Sequence, residues 1–474
     1  MGNNKIRLEV SKKIEELYFY SNKLIREKGG KIYTSKSELV EVFSDYEEFN
    51  VILCEIKTEF LNLPIEIIHF VILNKYKGIT VVDEKGGLLT YFLAVFDKIC
   101  EDDLTDKAKS LEKNVNDRLK EIYKYFPFKS DDNIYNYVDD LKNFTDDYGL
   151  GNLYDKTQRI ILLSKLIAEK LNLAEETKEN IEIAAKLLYS DRAIDIVKDF
   201  PELRGVISKF FFRENSERES VSFSLYENTL NMNFGTSPKM ITSVIVIIAD
   251  RLDSIIELVY LKNNKDKEFS YSKDIEKYVD TIIHLIIKNN LDFNLIEIIK
   301  NSIYSYIDYG NVILNYQEIS EAVLLIFKEN FFDKYCKIEY ILEDFLREDI
   351  LYLKEFNILD LYEKIKAMEF LENPDNFDIK KELYDILDLI NCPVDKLTGK
   401  EIEDVEFSNM LNEINLTFTK KQYVEFLKLL NANYLTIYNK ITDLNFNKDY
   451  YVENLCETAK NLNVILNFYT INRI

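Results

Sequence analysis

A mainly α, multidomain architecture with a small N-terminal α/β region is what this 474-residue chain predicts. Three observations carry that expectation. Only six prolines and twelve glycines punctuate the chain, too few for the dense turns of an all-β protein. Apolar residues recur at helical spacing through most windows. One short stretch breaks the pattern with two β-rich runs around a Gly-Gly pair. A chain of this length exceeds a single compact core and is expected to divide into two to four domains.

Taken in order, EFNVILCEI (Glu48 to Ile56) reads as a strand. ITVVDEKGGLLTYFLAV (Ile79 to Val95) reads as a hairpin turning at Gly86-Gly87. From about Thr105 onward the periodicity is helical. Ile160, Leu163, Ile167 and Leu171 share one face, as do Ile241, Val244, Ile248, Leu252, Ile255 and Val259. Every residue from Val244 to Ile248 is apolar, which predicts a helix buried on all sides. The charged, weakly apolar stretches Lys262 to Asp274 and Lys396 to Asp404 are the expected loops or boundaries.

Composition narrows the function classes. With 83 acidic against 61 basic side chains the net charge is −22, a field that opposes non-specific nucleic-acid binding. No DNA partner is expected, although a local basic groove stays compatible with this charge. The five cysteines (Cys54, Cys100, Cys336, Cys392, Cys456) are scattered without a C-x-x-C pair, which fits a reducing cytoplasm and neither a zinc site nor a disulfide framework. No apolar tract reaches membrane-spanning length, and the polar start NNKIR is unlike a secretory signal. Gly86-Gly87 lacks the Walker pattern and sits between strands, so it reads as a turn. His69 and His284 each lie in apolar helical runs, and no serine or cysteine has the flanks of a catalytic nucleophile. Asp250 and Asp253 share a helix face at a spacing that would suit a metal or an acid/base pair; equally, they could pair with Arg251 or nearby lysines.

The chemistry is therefore carried by ordered short motifs. GLGNLYDKTQRI places Gly151, Leu153, Asp155, Lys156, Arg159 and Ile160; AAKLLYSD places Ala184, Ala185, Leu187 and Asp191; FPELRG places Phe200 to Leu203 and Gly205; ADRLD spans Ala249 to Asp253. Upstream, Leu63, Pro64, Glu66, Asp83, Gly86, Leu88, Leu89, Tyr91 and Phe92 extend the series. This succession resembles the β subunit of bacterial glycyl-tRNA synthetase. The resemblance implies a hairpin-containing α/β region over residues 1–104 and an HD-like helical domain over 105–262. It further implies a helical linker or body domain over 263–400 and a DALR-like, anticodon-binding-type helical domain over 401–474. It implies no catalytic residue, cofactor or metal in this chain: ATP, Mg and the reaction centre would belong to a partner α subunit. The HD-like middle domain lacks the His-Asp ligands of hydrolases, since Ser190-Asp191 stands where such a pair would fall.

The departures from the family pattern bear on tRNA. The family's large N-terminal α/β portion is expected to have no counterpart in this sequence. Its arginine-rich helix keeps Arg118, with Lys113 a like-charged substitute, but shows Asn116 and Tyr123 at arginine positions. The segment after ADRLD has become KNNKDKEFSYSKDIEKY, and the terminal R-x-N-R helix reads Val452, Glu453, Asn454, Leu455. An aliphatic side chain cannot replace arginine's bidentate grip on phosphate, so a weakened tRNA role on a retained scaffold is expected. The remaining RNA-facing candidates are Arg118, Lys156, Arg159, Lys420, Lys421 and Lys440, the last three among Tyr434, Tyr438 and Tyr450, with Lys448 and Lys460 nearby. Each reads equally as an ordinary helix charge. Two functions follow: a divergent, non-catalytic β-type partner of glycine–tRNA ligase, or a paralogue that keeps the scaffold as an RNA- or protein-binding regulator.

Overall fold

The computed structural model describes residues 2–98, 101–126, 133–213, 218–229, 238–264, 272–310, 312–336, 355–391, 404–442, 455 and 457–466. Helices dominate, with one four-stranded antiparallel sheet near the N-terminus, matching the predicted class. Two compact units divide the chain, Met1–Lys165 with Ala174–Ile247, and Leu166–Leu173 with Ile248–Ile474.

The first unit opens with α1 (Gly2–Arg26), β1 (Gly30–Ile32), α2 (Lys36–Phe43), β2 (Asn50–Glu55), α3 (Ile65–Phe70), β3 (Gly78–Asp83), β4 (Leu88–Phe96) and α4 (Glu101–Tyr123). The strand order is β1-β3-β4-β2. The turn between β3 and β4 is built by Asp83, whose Oδ1 accepts the N–H groups of Lys85 and Gly87, both at 2.8 Å. Gly86 there has φ +90°, a conformation glycine adopts without steric cost. Alternation then selects faces: Ile79 and Val81 of β3, with Leu93 and Val95 of β4, pack against Ile14, Leu17 and Ile25 of α1 and Leu39 and Phe43 of α2. Ser35 and Glu38 form a reciprocal capping box that starts α2.

Helix α4 is fastened to the end of β2 by Asn116. Its amide oxygen accepts from Lys57 N at 2.9 Å, and its Nδ2 donates to Glu55 O at 2.9 Å. Tyr123 packs edge-on against Phe60 at 5.9 Å. Both positions that depart from the family's arginines thus make structural contacts here.

The first unit continues through α5 (Leu153–Lys170) as far as Lys165, α6 (Glu175–Leu187), α7 (Asp195–Asp199), α8 (Val206–Arg213), α9 (Glu219–Glu227) and the start of α10 (Ile241–Asn264). The sequence motifs sit at its turns. Asn152 Oδ1 accepts from Asp155 N at 2.8 Å, and Asn152 Nδ2 donates to the Asp155 carboxylate at 2.7 Å, so the two residues organise the start of α5. Asp191, fully buried, accepts the Gly205 N–H at 2.8 Å. Gly205 has φ +71° and lies so close to Thr229 that a Cβ would stand 2.3 Å from its Oγ1.

The second unit holds the rest of α10, then α11 (Ser272–Lys288), α12 (Leu295–Tyr309), α13 (Tyr316–Tyr335), α14 (Ile358–Glu372), α15 (Phe377–Asn391), α16 (Val405–Thr419), α17 (Tyr423–Ala432) and α18 (Tyr434–Thr442). Val244 to Ile248 are each no more than 1% exposed, as their unbroken apolar run requires. Asn294 caps α12 through Ile296 N at 3.1 Å and also accepts from Phe356 N at 3.1 Å, tying the approach to α14 onto α12. Of the expected boundaries, residues 265–271 and 396–403 lie outside the described residues, as do Val452, Glu453 and Asn454 of the terminal motif. Asp404, at the edge of the second boundary, caps α16 by accepting from Phe407 N at 3.0 Å. No helix among the described residues is long and apolar enough to cross a membrane.

Candidate nucleic-acid interface

Arg118 projects from α4, but it is held within the first unit. Its guanidinium lies over the Phe200 ring, 4.1 Å from the centroid, and pairs with Glu202 and with Glu121. Lys75 reaches the same Glu202 carboxylate at 2.7 Å. The FPEL turn is therefore a docking point for two cations: Phe200 supplies a ring face and Glu202 a shared anion. Burial opposes ionisation of Glu202, yet the hydrogen bonds from Lys75 and Arg118 outweigh it and hold its pKa at about 2.

That depression fixes the sign of a pH effect. The ion-paired carboxylate contributes stability that is fully present above pH 4.5, the ordinary glutamate value, and is lost as the pH falls towards about 2. Glu202→Gln is expected to be less stable than the parent above pH 4.5 and to converge with it near pH 2. Paired acid-denaturation curves check this. A constant gap across that range would sink it.

Lys156 and Arg159 stand on the first turns of α5 at 1% and 0% exposure. Lys156 faces the Tyr148 ring, 5.8 Å from its centroid. Side chains so deeply enclosed present no charge to an approaching phosphate in this conformation. Arginine and lysine are rarely enclosed to this extent unless their charge is compensated, and both have further interactions.

In the second unit, Lys420 and Lys421 occupy the turn between α16 and α17. Lys420 is exposed. Lys421 takes a left-handed backbone (φ +57°), pairs with Asp292 at 2.6 Å and stands 4.0 Å from Asp360. Both line an open depression of about 640 Å³ with Asn290, Glu363 and Lys366. Lys440 of α18 pairs with Asp404 at 2.5 Å. Tyr434 and Tyr438 lie 5.8 Å apart with tilted rings. Lys448 and Tyr450 are outside the described residues. Within this unit the structure gathers Lys420 and Lys421 on one surface, and Lys366 joins them from α14, a residue that periodicity alone did not single out.

The two aspartates of α10 are also enclosed, at 0% exposure, with Asp250 beside the Arg251 guanidinium. Asp191 directs one oxygen to Gly205 and the other towards Arg204 Nε at 3.4 Å. Among the described residues, no group of three or more His, Cys, Asp and Glu side chains is placed to hold a metal ion. His69 is satisfied at both nitrogens, Nδ1 lying 2.9 Å from Thr80 Oγ1 and Nε2 3.1 Å from Glu38 Oε1.

The sequence comparisons agree with this architecture of structural motifs. The family model described as glycyl-tRNA synthetase beta subunit matches residues 1–347. A glycine–tRNA ligase beta subunit from Baumannia cicadellinicola is 24% identical over 445 residues, covering 91% of this chain and 62% of that protein. One from Thermodesulfovibrio yellowstonii is 27% identical over 285 residues, covering 59% of this chain and 41% of that protein. The Thermotoga neapolitana beta subunit is 26% identical over 275 residues, 57% of this chain and 39% of its own length. The chain thus spans about two-fifths to three-fifths of these curated relatives. Since the family model takes in well over half of the chain, this chain belongs to the glycyl-tRNA synthetase β-subunit family.

Proposed function

We propose that this chain acts as a non-catalytic β-type component of glycine–tRNA ligase, supporting a separate α subunit that binds ATP, Mg and glycine and carries out the glycylation of tRNA. The observation that carries this reading is the family match over residues 1–347. The placement of the motif residues supports it: Asp155, Asp191, Gly205 and Asp83 shape turns and helix starts, which is the work of a scaffold. The relatives' names describe ligase subunits. A cytoplasmic setting follows from that role. In this reading the depression around Lys420 and Lys421 is the part of the chain that meets tRNA, with Lys420 offering charge to phosphate, while Lys366 is paired with Glu363 at 3.0 Å.

A second reading, a paralogue that keeps the scaffold as an RNA- or protein-binding regulator without an aminoacylation role, is favoured by one observation. Five of the six cations expected to face RNA are committed within the protein: Arg118, Lys421 and Lys440 to carboxylates, and Lys156 and Arg159 to the interior. Co-purification with the α subunit of the same genome, followed by tRNA glycylation assays, separates the two. The first reading expects a stable complex whose glycylation requires both chains. Glycylation by α alone at the same rate, or failure of the two to associate, would overturn it. In the same preparation, tRNA affinity should fall with rising salt, with a shallow slope if only a few phosphates are neutralised.

A further inference from the structure

In the second unit, the charges lining the depression at the α16–α17 turn cancel. Asp292, Glu363 and Glu425 oppose Lys366, Lys420 and Lys421, so an approaching phosphate meets no net attraction from the lining until one of these pairs opens. Lys366 stays with Glu363 on its own helix. The pair that joins separate elements is Lys421 with Asp292, from the turn between α11 and α12, at 2.6 Å.

Two features set this pair apart. The first is the backbone of Lys421, which closes α16 in a Schellman turn: Gln422 N donates to Thr417 O at 2.9 Å and Lys421 N to Phe418 O at 2.8 Å. That position takes a left-handed conformation, here φ +57°, and glycine is its usual occupant. A lysine suits the negative end of a helix, but Lys420 beside it supplies that charge without the strained backbone. What a lysine at 421 adds is the direction of its ammonium. The second feature is the anion that ammonium meets. Asp292 Oδ1 accepts from Lys421 Nζ and from Asn357 Nδ2, both at 2.6 Å, while 52% of the Asp292 side chain stays exposed against 19% for Lys421. The next carboxylate, Asp360, is 4.0 Å from the ammonium and is taken up by Tyr423 and Lys364. An accessible carboxylate on a half-enclosed lysine makes the charge-assisted contact that a phosphate oxygen would make.

We propose that Asp292 is an autoinhibitory contact: it holds the Lys421 ammonium against RNA, and an RNA phosphate binds there only by taking the place of the Asp292 carboxylate. The inference rests on the reading of this depression as the surface that meets tRNA. Since one anion is released for each anion gained, Lys421 adds little net affinity in the parent chain. Removing the Asp292 charge turns it into a full phosphate contact.

Filter-binding titration of the full chain with a glycine tRNA transcript, across a range of salt concentrations, tests this. Asp292→Asn keeps an oxygen for Asn357 and Lys421 without the charge. It should bind about three- to tenfold more tightly at low salt, and log K should fall with log salt more steeply by about 0.7–0.9, the slope of one further neutralised phosphate. Adding Lys421→Gln to Asp292→Asn should abolish the gain. Glu425→Gln removes the same charge from the same lining, and should give a smaller gain with the slope unchanged. Asp292→Ser, which leaves a hydroxyl acceptor for Asn357, carries the same expectation if Asp292→Asn does not fold. Unchanged affinity on loss of the Asp292 charge, a gain that survives loss of Lys421, or an equal gain and slope in Glu425→Gln would overturn the proposal. Failure of the underlying reading looks different: Lys420→Gln then binds as the parent does, or neither the parent nor any variant binds, and both inferences fall together.

Discussion

Replacing Gly205 with alanine is expected to lower the unfolding midpoint of the first unit by roughly 5–15 °C, through about 2–4 kcal/mol of lost stability. Two costs add. A left-handed backbone at φ +71° disfavours any Cβ by about 1–2 kcal/mol. The new methyl would also stand 2.3 Å from Thr229 Oγ1 and 3.2 Å from the Leu225 carbonyl, overlaps that force the Thr229 side chain or the end of α9 to shift. The costs can be separated. In Gly205→Ala with Thr229→Ala, the overlap with Thr229 disappears while the backbone cost remains, so the double variant should recover part of the loss and never all of it. Because the chain has two units, the comparison belongs to the transition of the first, or to hydrogen exchange at α8 and α9, rather than to one global free energy. A Gly205→Ala protein that melts with the parent would refute the geometry of this turn.

Asp191→Ala is expected to cost about 2–3 kcal/mol, because it strands the Gly205 N–H in the interior and removes the anion facing Arg204. Asp191→Asn keeps an acceptor for the N–H and should cost about half as much. Equal losses in the two variants would show that the Arg204 charge, and not the backbone hydrogen bond, is the important partner. The pair also separates a structural aspartate from a surviving metal ligand. A scaffold residue alters unfolding in the same way with chelator as with added divalent cation, whereas a ligand does not. Urea midpoints under both conditions provide the measurement.

Both experiments concern motif residues whose spacing was visible in the sequence but whose work was not. Asp191 and Gly205 are fourteen positions apart and separated by α7, so no local pattern announces that one accepts the N–H of the other. The same holds for Arg118 and Glu202, 84 positions apart. The hairpin was legible because its cause is local: Asp83 and Gly86 meet within five residues, and the alternation of β3 and β4 reports directly which face is covered. The helices were legible for the same reason, periodicity being a property of neighbours.

The candidate RNA contacts were less so. Charge type can be read from a sequence, but exposure and pairing cannot. Lys420 and Lys156 look alike in a helical pattern, yet one is exposed and the other is 1% exposed.

Local order, then, was determined by the sequence alone: a helical chain with one small sheet, turns at the glycines and aspartates, and an ordered set of motifs that identifies the family. Only the tertiary structure decided which charges remain for a partner, because each ion pair and each buried cation depends on residues that folding brings together from distant parts of the chain.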